Sequence, residues 1–254
     1  AGVSGTTGTF TGDLTVDTDT LKVDTTNDLV GINTATPSNY YADDLVLTVP
    51  DEGGMTIVQG TSEQSYLAFA DGTSGDARYR GYLSYDHGID SLYLGTSANV
   101  GLKIDANGHI TKPLQSAFSV HPSSTSSALA TDGSAVTVAF ATERFDTNSD
   151  FASNTFTAPV TGKYLLSVHL RLNNADSAAT YYIPTMATSN QFYRDIINPK
   201  FSSDPGYMSM QVTVVADMDA NDTAYVTIQQ SGGSSQTQVD GGSDYTYFTG
   251  YLLG

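Results

Sequence analysis

The residues able to do chemistry here are carboxylates, hydroxyls, phenols and four histidines, because the chain has no cysteine and no tryptophan. Disulfide staples, thiolate metal sites and cysteine nucleophiles are thereby excluded. Glycoside cleavage needs two positioned carboxyl groups, and 27 Asp and Glu residues supply the raw material. Most of these acids sit in turn-like contexts, where a short carboxylate bonds neighbouring backbone amides. Turn acids are therefore the favoured reading, with a capsular polysaccharide depolymerase as an alternative. His169 falls on the polar side of a strand pattern, and His87, His109 and His121 sit near turn signals. No Gly-x-Ser-x-Gly elbow, His-Glu-x-x-His or glycine-rich phosphate loop accompanies them. They read as ordinary surface or interface residues, and the chain is not expected to be an enzyme.

Two acidic loops place oxygen ligands at alternate positions: Asp146, Asn148 and Asp150, and Asp217, Asp219 and Asp222. Calcium takes several hard oxygens at such spacing. Neither loop has the sixth-position glycine or twelfth-position glutamate of an EF-hand, so solvated turn acids compete with calcium. Aromatic residues make better binding candidates. Tyr181, Tyr182, Phe192, Tyr193, Arg194 and Tyr207 gather in one stretch. Tyrosine stacks on a sugar face while its hydroxyl reaches polar groups, and it is enriched at binding surfaces. The competing role for these residues is core packing or subunit contact.

Strands must position these groups. From Lys163 to Leu172, Tyr164, Leu166, Val168, Leu170 and Leu172 share one face, with Leu165 the one apolar residue on the other. That alternation predicts a strand with one buried face. Met208, Met210, Val212 and Val214 repeat it, as do Ala224, Val226 and Ile228. Strands separated by turn-rich gaps predict a sandwich or barrel. An all-β chain is expected, because helix formers are sparse and β-branched residues common.

Three regions follow along the chain. Residues 1–37 are rich in Thr, Asp and Gly, with short apolar groups at Leu14-Thr15-Val16, Leu21-Lys22-Val23 and Val30-Gly31-Ile32. Each group is too small to bury a core alone. The segment is a flexible linker or, as favoured here, an intertwined β stalk in which several copies share a thin apolar axis. Residues 38–113 form a small β domain, with strand-like pieces at Leu45–Val49, Met55–Gln59, Ser65–Ala70, Tyr79–Tyr85, Ser91–Gly95 and Gly101–Asp105. Asp-Gly and Asn-Gly turns separate several of them. Leu21-Lys22-Val23-Asp24 and Leu102-Lys103-Ile104-Asp105 echo one another, each followed by an Asn-containing turn and then a proline. Residues 114–254 carry the alternating strands.

The net charge of −17 disfavours nucleic acid and anionic membrane surfaces as partners. No apolar run approaches the ~20 residues that cross a bilayer, so no membrane insertion is expected. The start, Ala1-Gly2-Val3-Ser4-Gly5, lacks the basic and apolar segments of a secretory signal. It suggests a piece of a longer protein or a processed product.

The third region resembles the trimeric jelly-roll family that includes the complement globular heads and tumour necrosis factor. Its matching segments are Ala117-Phe118-Ser119-Val120, the stretch from Thr155 through Phe156, Pro159, Gly162 and Lys163 to Tyr164, and the closing Phe248-Thr249-Gly250-Tyr251-Leu252-Leu253. The resemblance implies a ten-strand jelly-roll sandwich, a homotrimer and a non-enzymatic binding role. Gly12 to Asp24 and Asn27 to Pro37 resemble the stalk segments of bacteriophage tail fibres. Together these resemblances imply the distal part of a virion fibre, an extracellular appendage whose trimeric head binds a host-surface glycan or surface protein. A structural virion decoration or trimerisation cap without its own ligand is the alternative.

Overall fold

The computed structural model describes residues 12–17 and 20–254. The opening of the stalk segment, residues 1–11, lies outside the described residues. The chain is all-β, with four sheets, two short 3-10 turns and no α-helix among the described residues. Residues up to Thr61 form one compact unit and Ser62–Gly254 a second.

In the first unit, β1 (Leu14–Val16), β2 (Leu21–Asp24) and β3 (Leu29–Ile32) form an antiparallel meander, and β4 (Leu45–Leu47) adds parallel to β3. The short apolar groups pair with one another: Leu14 faces Val23, and Val23 faces Val30. The ladder is thus made within one chain. Only Leu29 and Val46 are buried among its apolar residues, and Val16, Leu45 and Leu47 stay exposed. Met55–Gln59, expected as a strand, joins no ladder and is exposed.

The second unit opens with a single-layer antiparallel sheet of β5 (Gln64–Phe69), β6 (Gly81–Asp86), β7 (Ser91–Thr96), β8 (Asn99–Ile104) and β9 (Ile110–Thr111), in that order. The sequence echo has a structural counterpart. Asp24 Oδ1 accepts from the amides of Thr26 and Asn27 at 3.1 and 3.2 Å. Asp105 Oδ1 accepts from those of Asn107 and His109 at 2.9 Å each. In both copies an aspartate, the last residue of β2 or the first after β8, folds the chain into a hairpin, β2–β3 or β8–β9. These bonds favour the ionised form and hold both carboxyls below the usual range: in Asp24 the Asn27 side-chain bond leads, in Asp105 the His109 ring.

Close packing in this sheet depends on one glycine. A Cβ on Gly95 would lie 2.2 Å from the ring of Tyr82, which packs edge-on against Tyr66 and Tyr79 with centroids 6.0 and 6.4 Å away. Gly95→Ala is expected to cost about 1–3 kcal/mol through overpacking, measured as a lower denaturant midpoint. Gly101→Ala, where the nearest atom is 3.7 Å away, should be neutral or slightly stabilising. Equal midpoints for the two variants would contradict this packing.

The remaining strands build a sandwich. They are β10 (Ala117–His121), β11 (Val136–Thr137), β12 (Thr142–Asp146), β13 (Phe151–Ala152), β14 (Thr155–Thr157), β15 (Gly162–Asn173), β16 (Tyr181–Thr188), β17 (Phe192–Arg194), β18 (Tyr207–Met218), β19 (Thr223–Ser231), β20 (Gln238–Val239) and β21 (Tyr247–Leu252). One sheet runs β12-β10-β21-β15-β18, with β20 also on β15. The other runs β13-β14-β19-β16-β17, with β11 also on β19. The two five-strand paths are the ten strands of a jelly roll, and β11 and β20 are short additions. The expected inward rows hold: Tyr164, Leu166, Val168, Leu170, Leu172, Ala224, Val226 and Ile228 are fully buried, while Leu165 points outward. Phe118, Phe156 and Phe248, with Phe140 and Phe151, form an aromatic cluster between the sheets.

Candidate ligand-binding site

The structure separates the aromatic candidates. Tyr182 is fully buried. Its phenol oxygen accepts from the Asp176 amide at 2.8 Å and bonds Thr237 Oγ1 at 2.7 Å. Burial pushes its pKa up. It is a core residue and cannot touch a ligand, which corrects its place among the contact candidates. Tyr181, its neighbour at the start of β16, turns to the opposite side and is half-buried, with its hydroxyl near Gly133. Tyr207 is exposed but begins β18, roughly 35 Å of strand from that strand's far end. There it lies under Arg171, whose guanidinium is 4.6 Å from the Tyr207 ring and 3.4 Å from that of Tyr245.

Phe192, Tyr193 and Arg194 remain together, on the edge strand β17. The β16–β17 turn is closed by the Thr188 amide donating to the Gln191 carbonyl at 2.9 Å, and the Gln191 amide donating to Thr188 Oγ1 at 3.0 Å. Beside it lies the β18–β19 turn. Asp222 Oδ2 clasps the two, accepting from Asn190 Nδ2 at 2.6 Å and from the Asp219 amide at 2.9 Å. The Ser189 amide donates to the Thr223 carbonyl at 3.0 Å. Between the turns is an open hollow of about 320 Å³ lined by Asn190, Gln191, Tyr193, Asp217 and Asp219. Lys163 Nζ stands 2.6 Å from Asp217 Oδ1. On the opposite face of β17 from Tyr193, Phe192 is 53% exposed, with the Arg194 guanidinium 4.8 Å from its ring.

The hollow brings together a phenol ring, two side-chain amides and two carboxylates. Such groups offer donors and acceptors beside one aromatic ring, a combination that suits a polyhydroxylated ring. Asn190 and Gln191 were not singled out in the sequence. The signal that could have found them is the Ser189-Asn190 pair, turn residues between two strand-like runs.

The acidic loops offered for calcium engage their side chains within the fold. In the first acidic loop, Asp146 accepts from the amides of Asp150 and Phe151 at 3.0 and 2.8 Å, Asp150 accepts from Ser116 Oγ at 2.7 Å, and Asn148 donates its amide to the Leu114 carbonyl. In the second, Asp217 pairs with Lys163 and Asp222 clasps the turns. These side chains bond nearby amides and the Ser116, Lys163 and Asn190 side chains, and no group of three or more His, Cys, Asp or Glu able to hold a metal occurs among the described residues.

Residues 117–253, more than half of the chain, match the family model described as C1q domain. Among solved structures, the globular domain of zebrafish complement 1qA protein is 19% identical, covering 55% of this chain and 98% of its own, with a TM-score of 0.39. Murine APRIL is 14% identical, covering 55% and 99%, with a TM-score of 0.41. No curated protein sequence matches the chain.

Proposed function

Because the chain belongs to the C1q-domain family, we propose that it is the trimeric head of a fibre, binding a surface glycan without altering it. C1q and tumour-necrosis-factor domains are commonly trimeric heads that bind ligands or receptors. The observation that carries the glycan reading is the hollow lined by Tyr193, Asn190, Gln191, Asp217 and Asp219, with Phe192 and Arg194 exposed on the other face of the same edge strand. The stalk-like pattern of residues 12–37 supports placing the head at the end of a viral fibre, outside the virion, with a host surface as its target. Threefold repetition of a weak site raises avidity through effective concentration.

An outward face for the trimer contact is supported by the sheet register. Leu165 lies between Tyr251 and Val215 on adjacent strands, and all three are exposed on the side away from the core. An apolar row across a sheet is stable when further copies cover it.

The double substitution Phe192→Ala and Tyr193→Ala is expected to lower adsorption to host cells and binding to an array of neutral and acidic oligosaccharides at least tenfold, with the solution mass unchanged. Retained binding would move the site elsewhere on the head. Release of new reducing ends from a bound polysaccharide would overturn the binding-only reading.

A further inference from the structure

We propose that one face of the five-stranded sheet β5–β9 is an assembly surface whose occupant is the same face of two further copies of this chain, forming a three-walled apolar prism next to the head. The proposal rests on the trimeric reading of the head.

The register places Leu67, Leu83, Leu94 and Leu102 side by side across β5, β6, β7 and β8. Side chains directly opposite one another project from the same face, so this row is continuous. The flanking row on that face is Ser65, Tyr85, Leu92, Ile104 and Ile110. Neither row contains a charged residue. The opposite face of the sheet carries Tyr82, Ser84, Tyr93 and Lys103, and it packs against itself through tyrosine edges and a Lys103–Tyr93 contact of 5.6 Å.

Nothing among the described residues of this unit covers the leucine face. Leu94 is 49% exposed, Phe69 63% and Ile110 63%. Phe69, Leu83, Leu94 and Leu102 border a shallow apolar hollow of about 370 Å³, floored in part by Gly81 and Gly101. A sheet normally buries its apolar face against a second layer, and this sheet has none of its own.

Two features select copies of this chain as the missing layer. The two rows are uncharged and made of like residues, with Asp90, bonded to the Tyr85 hydroxyl at 3.0 Å, and Asp105 only at their edge, so the centre of the face is self-complementary. It is also tied to the head. β9 ends at Thr111 and β10 begins at Ala117, leaving residues 112–116 between them, a reach of at most about 22 Å. That connection is pinned: Gln115 Nε2 donates to the Leu252 carbonyl at 2.6 Å, and the Leu252 amide donates to the Ser116 carbonyl at 3.0 Å. Three heads in a trimer would hold three leucine faces at high effective concentration.

The absence of native cysteine makes single thiols clean probes. The full chain carrying Leu94→Cys is treated with a short bis-maleimide able to span sheets packed about 10 Å apart, alongside Leu102→Cys on the same face and Tyr93→Cys on the opposite one. Solution mass is recorded for each. Expected is a mass near three times 26.8 kDa, with about two-thirds of Leu94→Cys or Leu102→Cys chains linked in covalent dimers and Tyr93→Cys chains left single. A trimer in which neither leucine-face thiol links better than Tyr93→Cys would overturn the prism and leave the head reading standing. A monomeric mass for the unsubstituted chain would overturn the trimeric head and the prism with it.

Discussion

Replacing Phe248 by alanine is expected to destabilise the sandwich by about 3–5 kcal/mol, the largest effect of any single side-chain truncation considered. Phe248 is fully buried and lies on β21, which is hydrogen-bonded to β10 on one side and β15 on the other. Its ring meets Phe118 edge-on at 4.9 Å, Phe140 at 5.7 Å and Phe151 at 6.0 Å. Aromatic pairs in such geometry add to the area they bury. The site cannot collapse easily, because its neighbours are rings held by strands of both sheets. The cluster is already tight: a Cβ on Gly250, two residues along β21, would lie 2.3 Å from the Phe118 ring. Phe248→Leu, which keeps most of the volume, should cost less than about 1.5 kcal/mol. Denaturant unfolding at one fixed protein concentration measures both, since assembly would otherwise shift the midpoint. Equal losses for the alanine and leucine variants would contradict a volume-determined site.

Asp240→Asn is expected to cost about 3 kcal/mol near neutral pH, a fall in melting temperature of roughly 6–12 °C. Asp240 is buried and accepts from Arg171 Nε at 2.6 Å and from the Gly242 amide at 2.6 Å. Arg171 is enclosed by the rings of Tyr245 and Tyr207. The asparagine variant leaves that guanidinium without its counter-charge. Burial alone would raise the Asp240 pKa, but the Gly242 amide and the Arg171 guanidinium outweigh it and hold the carboxyl below its ordinary value of 3.8. A carboxyl depressed in the folded state contributes stability that is present above the unfolded pKa and lost as pH falls through the folded one. The gap between parent and variant should therefore be full at pH 6 and narrow below about pH 4. A gap that stays constant down to pH 2 would refute the ionic account.

Strand parity was legible from the residue pattern alone. The alternation from Tyr164 to Leu172 placed every inward residue correctly, with Leu165 outward, because side chains of one strand must alternate between its faces. The Asp-led turns of the two echoing hairpins were legible for a similar reason: an aspartate bonds amides two to four residues ahead, within reach of local sequence. The jelly-roll family, too, was readable from the segments around Phe118, Phe156 and Phe248, which became its core.

The candidate site was only partly legible. Tyr181 and Tyr182 are adjacent and chemically alike, yet one is half-buried and the other is core; parity separates them, but which parity faces inward depends on β19, more than 40 residues away. Phe192 and Tyr207 looked like one cluster in sequence and are drawn apart because β18 runs the length of the sandwich. The alternating acids were visible along the chain, but their partners, Lys163, Asn190, Ser116 and local amides, were set by folding. Composition and alternation by themselves determined an acidic, cysteine-free, all-β chain and the two sides of its main strands, since those depend on covalent identity and a two-residue period. Tertiary structure alone decided which residues meet: the Tyr193 hollow, the Arg171–Asp240 pair and the uncovered leucine face. Each joins side chains from different strands, and only long-range ladder register sets those distances.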